Sequence, residues 1–134
     1  MNVVVDTNVL VSGLLKPFSA SGKIVSMIAD GKLLLCYDAR ILLEYDQVLR
    51  RKKFGFDENL VTIFLDAVKS TGVCTAGTPL ALRLPDTDDE MFVEAAINSK
   101  SYILVTGNSR HFPKKLCSKV RIFTPTEFLI FCCP

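Results

Sequence analysis

The sequence has few of the residues that build zinc sites or nucleophilic triads. One histidine, His111, occurs in 134 residues, and the five cysteines include no C-x-x-C pair. A structural zinc ion takes four cysteine or histidine ligands, commonly with such paired spacing, so we expect no zinc site. The single histidine also leaves no convincing Ser-His-Asp or Cys-His arrangement, which disfavours nucleophilic catalysis of that type.

Long apolar runs and a secretory signal are missing as well. No run approaches the roughly 18 residues that a membrane span needs. The start of the chain lacks a basic stretch followed by an apolar core and a small-residue cleavage site. The odd number of cysteines, with Cys36 inside an apolar run, indicates reduced thiols. These features predict a soluble, cytoplasmic protein that does not enter a membrane.

Neither sign of charge is in large excess. The formal net charge is +2, which is too small to indicate a nucleic-acid-binding protein by itself. A local basic patch could still bind a nucleic acid. With 49% hydrophobic and 22% charged residues, the chain has the composition of a folded globular protein, and its length suits one domain spanning 1–134.

Strand-like apolar runs alternate with helical patterns along the chain. The predicted strands are 1–6, 33–37, 101–107 and 119–123, and the predicted helices are 19–29, 38–49, 57–68 and 88–99, followed by a C-terminal helix opened by a capping box at 124–127. Segment 72–85 is loop-like, with room for a short strand. This alternation predicts an α/β fold, a three-layer α/β/α sandwich with a mainly parallel central sheet.

Two of the helical segments have predicted inward positions. On helix 57–68 the apolar stripe of Leu60, Ile63, Phe64 and Ala67 is expected to face the core. The C-terminal stretch FLIFCC, residues 128–133, has two interpretations, a last core helix or part of a contact between two copies of the chain. We favour the core helix.

An acidic residue ends the first predicted strand. In MNVVVDTNVL, Asp6 follows three consecutive valines. Ligands of open α/β sheets bind beyond the carboxyl ends of the strands, which is where this carboxylate is expected to lie. The alternative is that Asp6 only caps a turn or the next helix, as aspartate often does.

Further oxygen ligands follow the other strands. Glu44 lies among apolar neighbours on the predicted helix 38–49, where an uncompensated carboxylate is costly. The stretch PDTDDEMF carries four acids at a helix start: Asp86, Asp88, Asp89 and Glu90. Thr106 and Asn108 follow the strand 101–107. Such a set of oxygen ligands without a histidine or cysteine cluster suits Mg²⁺ or Mn²⁺. The alternatives are that Glu44 sits on a solvated flank and that the acids of PDTDDEMF complement the helix dipole.

Four motifs in this order carry a resemblance to a known family: VVVDTNVLVSGLL, ARILLEYDQVL, PDTDDEMFVEAA, and YILVTGN followed by SRHF. The chain resembles the PIN domain, and more narrowly the small prokaryotic PIN proteins classed as toxin components of toxin–antitoxin systems. The resemblance implies a PIN-like fold and an endoribonuclease that depends on Mg²⁺ or Mn²⁺. It also implies an RNA substrate, a cognate antitoxin protein and self-association as a homodimer.

The resemblance also implies roles for individual residues. Asp6, Glu44 and Asp89 match the three acids expected to bind the metal and to carry catalysis. Supporting polar roles fall to Asn8, Asp86, Asp88, Thr106 and Asn108. Many relatives have an aspartate where this chain has Asn108, so the fourth acid is replaced by a neutral amide. That replacement removes a charge that a tightly held second ion would use.

Basic residues near the predicted site are candidates for RNA binding. One cluster, Arg50, Arg51, Lys52 and Lys53, follows the helix that carries Glu44. A second, Arg110, Lys114 and Lys115, follows the strand that ends at VTGN. The alternative is that both clusters are ordinary solvated surface. For His111, at the rim of the predicted site, we favour a structural or RNA-proximal role over catalysis.

Two other functions are compatible with parts of this pattern. A non-catalytic RNA- or protein-binding module on the same fold would explain the missing fourth acid. An enzyme that accepts a phosphoryl group on Asp6 would also place an aspartate after the first strand. Asn8 stands where that chemistry expects a second aspartate, and no matching lysine is evident after the third clear strand, so we disfavour it.

Overall fold

A five-stranded sheet forms the centre of the computed structural model, which describes residues 1–132. The strands are β1 (Asn2–Val5), β2 (Leu34–Tyr37), β3 (Val73–Cys74), β4 (Ile103–Val105) and β5 (Arg121–Phe123). They lie in the order β3-β2-β1-β4-β5, and every neighbouring pair is parallel. The first strand is therefore central, and the direction of the strand order reverses between β1 and β4.

Helices connect the strands and flank the sheet. They are α1 (Thr7–Leu15), α2 (Ala20–Ala29), α3 (Ala39–Leu49), α4 (Glu58–Thr71), α5 (Glu90–Asn98) and α6 (Pro125–Cys132). Single 3₁₀ turns occur at Lys52–Phe54, Thr87–Asp89 and Ser109–His111. Helix α5 packs against β1, β2 and β4, and α4 packs against β2. The predicted α/β fold with a mainly parallel sheet is confirmed.

The three valines of β1 form the centre of the core. Val3, Val4 and Val5 have no exposed surface, as expected for a central parallel strand covered on both faces. The carboxyl end of this strand is tied to α3, because the fully buried Tyr45 donates its phenolic hydrogen to the Val5 carbonyl. Burial raises the pKa of the Tyr45 phenol well above its usual value, so the hydroxyl remains a donor. Since Glu44 precedes Tyr45, this contact also ties the part of α3 that carries Glu44 to the carboxyl end of β1.

Helix α1 was not predicted, and its amino-acid content explains why. It contains Gly13 and two β-branched valines, and no side chain caps its start. A Cβ atom at Gly13 would lie only 2.6 Å from the Ser21 carbonyl oxygen. Glycine therefore permits α1 and α2 to pack closely, and this tertiary contact stabilises a helix of weak intrinsic propensity.

The prediction of which residues of α4 face the core is partly wrong. Leu60 and Ile63 are 65% and 64% exposed, whereas Phe64 is buried as predicted. The face that meets the core consists of Val61, Phe64, Leu65 and Val68. The helix carries two overlapping apolar stripes that share Phe64, and periodicity alone does not distinguish them.

The C-terminal helix begins as predicted. Thr124 and Glu127 form the reciprocal capping box, with the Thr124 amide donating to Glu127 Oε1 (2.8 Å) and the Glu127 amide donating to Thr124 Oγ1 (3.2 Å). Phe128 is fully buried, which agrees with a core helix, while Ile130 is 67% exposed. Cys133, the last residue of the predicted FLIFCC segment, lies outside the described residues.

Residues 75–86, which join β3 to the turn before α5, have no helix or strand and are called the strap below. Residues of α5 hold it in place. Asn98 Nδ2 donates to the Thr78 carbonyl (3.0 Å), and the carboxylate of Glu94 accepts from the Leu80 amide (2.8 Å). No helix in the part of the chain that the structure describes is long and apolar enough to cross a membrane.

Candidate active site

Asp6 lies at the point where the strand order reverses. It follows β1, is 7% exposed, and its Oδ2 accepts a hydrogen bond of 2.8 Å from the hydroxyl of Thr106, which follows β4. In open parallel sheets this crevice between diverging strands is the usual ligand site. Asp6 occupies the N-cap position of α1, but its carboxylate makes no capping hydrogen bond. The backbone amides of Asn8 and Thr7 nevertheless lower the pKa of this carboxylate, so its position is compatible both with capping and with ligand binding.

Glu44 is brought to the same edge by α3. Its carboxylate accepts a short hydrogen bond from the hydroxyl of Thr7, the residue after Asp6. Thr7 is 5% exposed, while Glu44 is half-buried and lines a cavity on its other side. Glu44 thus does not sit on a purely solvated flank of its helix.

Asp89 reaches the edge from the turn that precedes α5. It is 9% exposed, and its Oδ2 lies 3.1 Å from His111 Nδ1. The two other acids of this turn behave differently. Asp86 is exposed and caps the turn by accepting from the Asp88 amide (2.9 Å), and Asp88 is exposed at the mouth of the neighbouring cavity.

The carboxylates of Asp6, Glu44 and Asp89 influence one another electrostatically. Burial raises the pKa of Asp6, and the charge of Asp89 raises it further, while the Thr106 hydrogen bond acts in the opposite direction. The pKa of Asp89 is raised by burial, then by Asp86 and more weakly by Glu44, against the lowering effect of His111. Negative charge is therefore concentrated at this edge at a cost in free energy.

The oxygen ligands at this edge suit a hard divalent cation in chemical type, because carboxylates are the ligands that Mg²⁺ and Mn²⁺ prefer. The positions of these side chains, however, do not form a metal site as they stand. Within residues 1–132, no group of three or more His, Cys, Asp or Glu side chains is arranged so that it could hold a metal ion. Joint ligation by Asp6, Glu44 and Asp89 requires side-chain movement. Glu44 would turn from Thr7, and Asp89 from His111.

The other predicted polar residues lie in the loop after β4 or against it. Asn8 Oδ1 accepts a long hydrogen bond of 3.4 Å from the Gly107 amide. The Asn108 amide donates to Thr106 Oγ1 at 3.0 Å. Thr106 therefore links Asp6 to this loop, and Asn108 lines a cavity with residues 107–111.

The two predicted basic clusters are placed differently. Arg50 is committed to the packing of α3 on α4, donating to Asp46 (2.9 Å) and to the Thr62 hydroxyl (2.9 Å). It also lies about 9 Å beyond Glu44 along the axis of α3, at 1.5 Å per residue, and Arg51, Lys52 and Lys53 follow it in the chain. Arg110, Lys114 and Lys115 instead follow β4 on the side of His111. Arg110 of the second cluster therefore adjoins His111, the residue that contacts Asp89.

A buried ion-pair network beside Glu44 was missed from the sequence. Arg40 donates to Asp38 Oδ2 (2.7 Å) and to Glu94 Oε1 (2.9 Å). Asp38 has no exposed surface, and Glu94 is 4% exposed. Two signals were available: Arg40 stands one helical turn before Glu44, and Glu94 interrupts the apolar sequence MFVEAA.

A Thr106→Val variant is expected to lose about 1–2 kcal/mol of unfolding free energy. The fully buried hydroxyl donates to Asp6 and accepts from the Asn108 amide, and valine of the same shape does neither. The measurement is urea unfolding at neutral pH in EDTA. Thr126→Val, at an exposed position of α6, is the matched control and should stay within about 0.5 kcal/mol of wild type. Equal stabilities of the two variants would contradict the role given to Thr106.

Comparison with known proteins adds an independent observation. The model of a family described as PIN domain matches residues 2–110. The uncharacterized protein MJ1680 of Methanocaldococcus jannaschii is 31% identical over 111 residues, which cover 81% of this chain and 71% of that protein. No solved structure matches the chain at a significant level.

Proposed function

The chain belongs to the PIN domain family, whose members are generally metal-dependent nucleases, and from that premise we propose that it is an endoribonuclease dependent on Mg²⁺ or Mn²⁺. The observation that supports the proposal is that Asp89 interacts electrostatically with both Asp6 and Glu44, close to the point where the strand order reverses. Asp6 and Asp89 are nearly buried although their charges repel. A cation-binding role offsets that cost.

The chain's own residues have distinct tasks in this proposal. Asp6, Glu44 and Asp89 hold the ion. Bound Mg²⁺ or Mn²⁺ supplies positive charge that stabilises the phosphoryl oxygens and makes water a better nucleophile. Thr106 orients the Asp6 carboxylate through its 2.8 Å hydrogen bond, and Thr7 holds Glu44 before the ion arrives.

Other residues are proposed to bind the RNA or to position the acids. Arg110, Lys114 and Lys115 attract the phosphates, so binding should weaken as salt concentration rises. His111 keeps Asp89 at the edge of the site and is not assigned a catalytic proton transfer. Asn108 brings an amide where many relatives have an acid, so we assign one ion and not two to this site.

The cellular role is proposed more narrowly as the toxin of a toxin–antitoxin pair in the cytoplasm. It rests on the likeness of the four motifs to those of small prokaryotic PIN toxins. An antitoxin partner would inhibit by covering the acidic edge. The homodimer implied by the same likeness is part of this proposal, and size-exclusion chromatography with light scattering tests it.

The second candidate is an RNA- or protein-binding module without nuclease activity. Two observations favour it: the neutral Asn108, and the absence from residues 1–132 of a ready group of three metal-ligating side chains. This candidate predicts RNA binding with no cleavage under any ion.

Cleavage of labelled single-stranded RNA separates the two candidates. We expect cleavage with Mg²⁺ or Mn²⁺ and none in EDTA, because without the ion no group in the proposal activates the attacking water. A circular RNA should also be opened, since an endonuclease needs no free end. Binding without cleavage of any RNA in a panel, with either ion, would favour the binding module and contradict the nuclease.

A further inference from the structure

A cavity of about 330 Å³ opens beside Glu44. We call it the Arg40 cavity. Helix α3 forms one wall, the start of α5 a second, and the strap a third. It is lined by Arg40, Glu44, Pro79, Leu80, Arg83, Thr87, Asp88, Glu90, Met91 and Glu94. Its volume lies at the lower end of the range of roughly 300–1,000 Å³ for small-molecule sites, which suits one planar group.

The guanidinium of Arg40 is fixed in this cavity. Its Nε and Nη2 donate to Asp38 Oδ2 at 3.3 and 2.7 Å, and its Nη1 donates to Glu94 Oε1 at 2.9 Å. The strap packs against it, since a Cβ atom at Gly77 would lie 3.5 Å from Nε. All three nitrogens are thus engaged along the edges of the plane, and the side chain is held in one orientation.

These contacts make Arg40 a poor phosphate ligand. Its charge is already matched by two buried carboxylates, and three of its five N–H donors are in use. The lining as a whole contains two arginines and four carboxylates, which disfavours an anion. The side chain of Arg40 nevertheless remains 40% exposed and lines the cavity, so a group bound there can contact it.

A nucleobase fits that description. Unpaired RNA bases stack on guanidinium planes and are read along their edges by hydrogen bonds. The half-buried Leu80 and Met91 add apolar surface to the wall. Thr87, Asp88 and Arg83 stand at the exposed rim, where they supply both donors and acceptors to the edge of a base.

We infer that the Arg40 cavity binds one unpaired base of the RNA strand, stacked on the Arg40 guanidinium, beside the site formed by Asp6, Glu44 and Asp89. The inference rests on the proposed function for the identity of the strand. It gives the enzyme a base preference at one position beside the cleaved bond. The cavity and the acids share Glu44, so the base and the phosphate belong to adjacent parts of one strand.

Binding of an eight-nucleotide single-stranded RNA with a fluorescent label tests this inference without cleavage, in EDTA. Single abasic sites are placed at each position in turn, which removes one base and keeps every phosphate. We expect one position to weaken binding by about five-fold or more, the loss that corresponds to one stacked base. Elsewhere the loss should be smaller than two-fold.

Arg40→Lys should reduce the loss at that position to below two-fold, because lysine keeps the charge between Asp38 and Glu94 but has no plane. The matched control is Arg121→Lys, at the amino end of β5, which should leave the abasic profile unchanged. Met91→Ala leaves the ion pairs intact and should also reduce the loss. If circular dichroism shows that Arg40→Lys is not folded, Met91→Ala replaces it in the test.

A flat abasic profile of the wild-type protein, with RNA bound and cleaved when an ion is added, would overturn the base site and leave the nuclease standing. If neither Arg40→Lys nor Met91→Ala changes the abasic profile, the base is bound elsewhere, and this result would also overturn the proposed base site. Absence of both RNA binding and cleavage would contradict the proposed function together with this inference.

Discussion

Asp6→Asn is expected to reduce metal-dependent RNA cleavage by on the order of 10²- to 10³-fold or more. Asparagine keeps the shape of the side chain and its contact distance to Thr106, but it removes one negative charge from the proposed ion site. The rate is measured on labelled single-stranded RNA at saturating Mn²⁺. The same variant should remain folded, so the loss is chemical and not structural.

The stability of Asp6→Asn in EDTA provides a second, opposite readout. Since the pKa of Asp6 is raised above its ordinary value of 3.8, the folded state binds the proton more tightly than the unfolded chain does. Ionised Asp6 therefore lowers the unfolding free energy as pH rises through the raised pKa. Below the ordinary pKa the two proteins should be equally stable, and at neutral pH the variant should be the more stable.

Asp66→Asn is the matched control for both readouts. Asp66 lies on the exposed side of α4 and makes only a 3.9 Å ion pair with Lys69. It should change neither the cleavage rate nor the unfolding free energy measurably. If Asp6→Asn cleaves RNA as fast as this control does, the assignment of Asp6 as an ion ligand is wrong.

Arg40→Ala is expected to cost about 3 kcal/mol of unfolding free energy, a large share of the 5–15 kcal/mol typical of a domain. The change leaves Asp38 and Glu94, both almost completely buried, without their shared cation. Removing one partner of a buried ion pair is costly because the remaining charge is left in a poorly solvated place. Urea unfolding at neutral pH measures the loss.

Arg50→Ala makes the same chemical change in a different setting. Its ion-pair partner Asp46 is partly solvated, so the expected loss is below about 1 kcal/mol. Adding Glu94→Gln to Arg40→Ala should recover part of the lost stability, because one unpaired charge is removed. Similar losses in Arg40→Ala and Arg50→Ala would show that the network at α5 is not effectively buried.

The sequence predicted the elements whose signals are local. The valines before Asp6, the capping aspartates Asp38 and Asp57, and the TPTE capping box are sufficient to place strands and helix starts, and the structure has them there. Helix α1 escaped prediction because its stability comes from close packing on α2 at Gly13, a contact between segments that periodicity does not report.

The sequence predicted the acidic residues of the candidate site but not the residues that surround them. Asp6 was predicted from a strand end and Glu44 and Asp89 from the family motifs, and their role as ligands stays a prediction. In the structure Asp89 interacts electrostatically with Asp6 and Glu44. The pairing of Arg40 with Glu94 joins residues 54 positions apart, and the strap that completes their cavity has no regular structure. No local pattern specifies such an arrangement, so it emerged only from the packing of α3 on α5.

The central place of the first strand also bears on how the protein is made. β1 pairs with β4, and Thr106 follows Asp6 by 100 residues. At about 5–20 residues per second, roughly 5–20 s of synthesis separate the two. Throughout that interval one edge of β1 has no partner and Asp6 lacks its hydrogen bond from Thr106. A growing chain on the ribosome thus cannot complete the crevice between β1 and β4, or the contact of Asp89 with His111, until β4 and the loop to His111 have emerged.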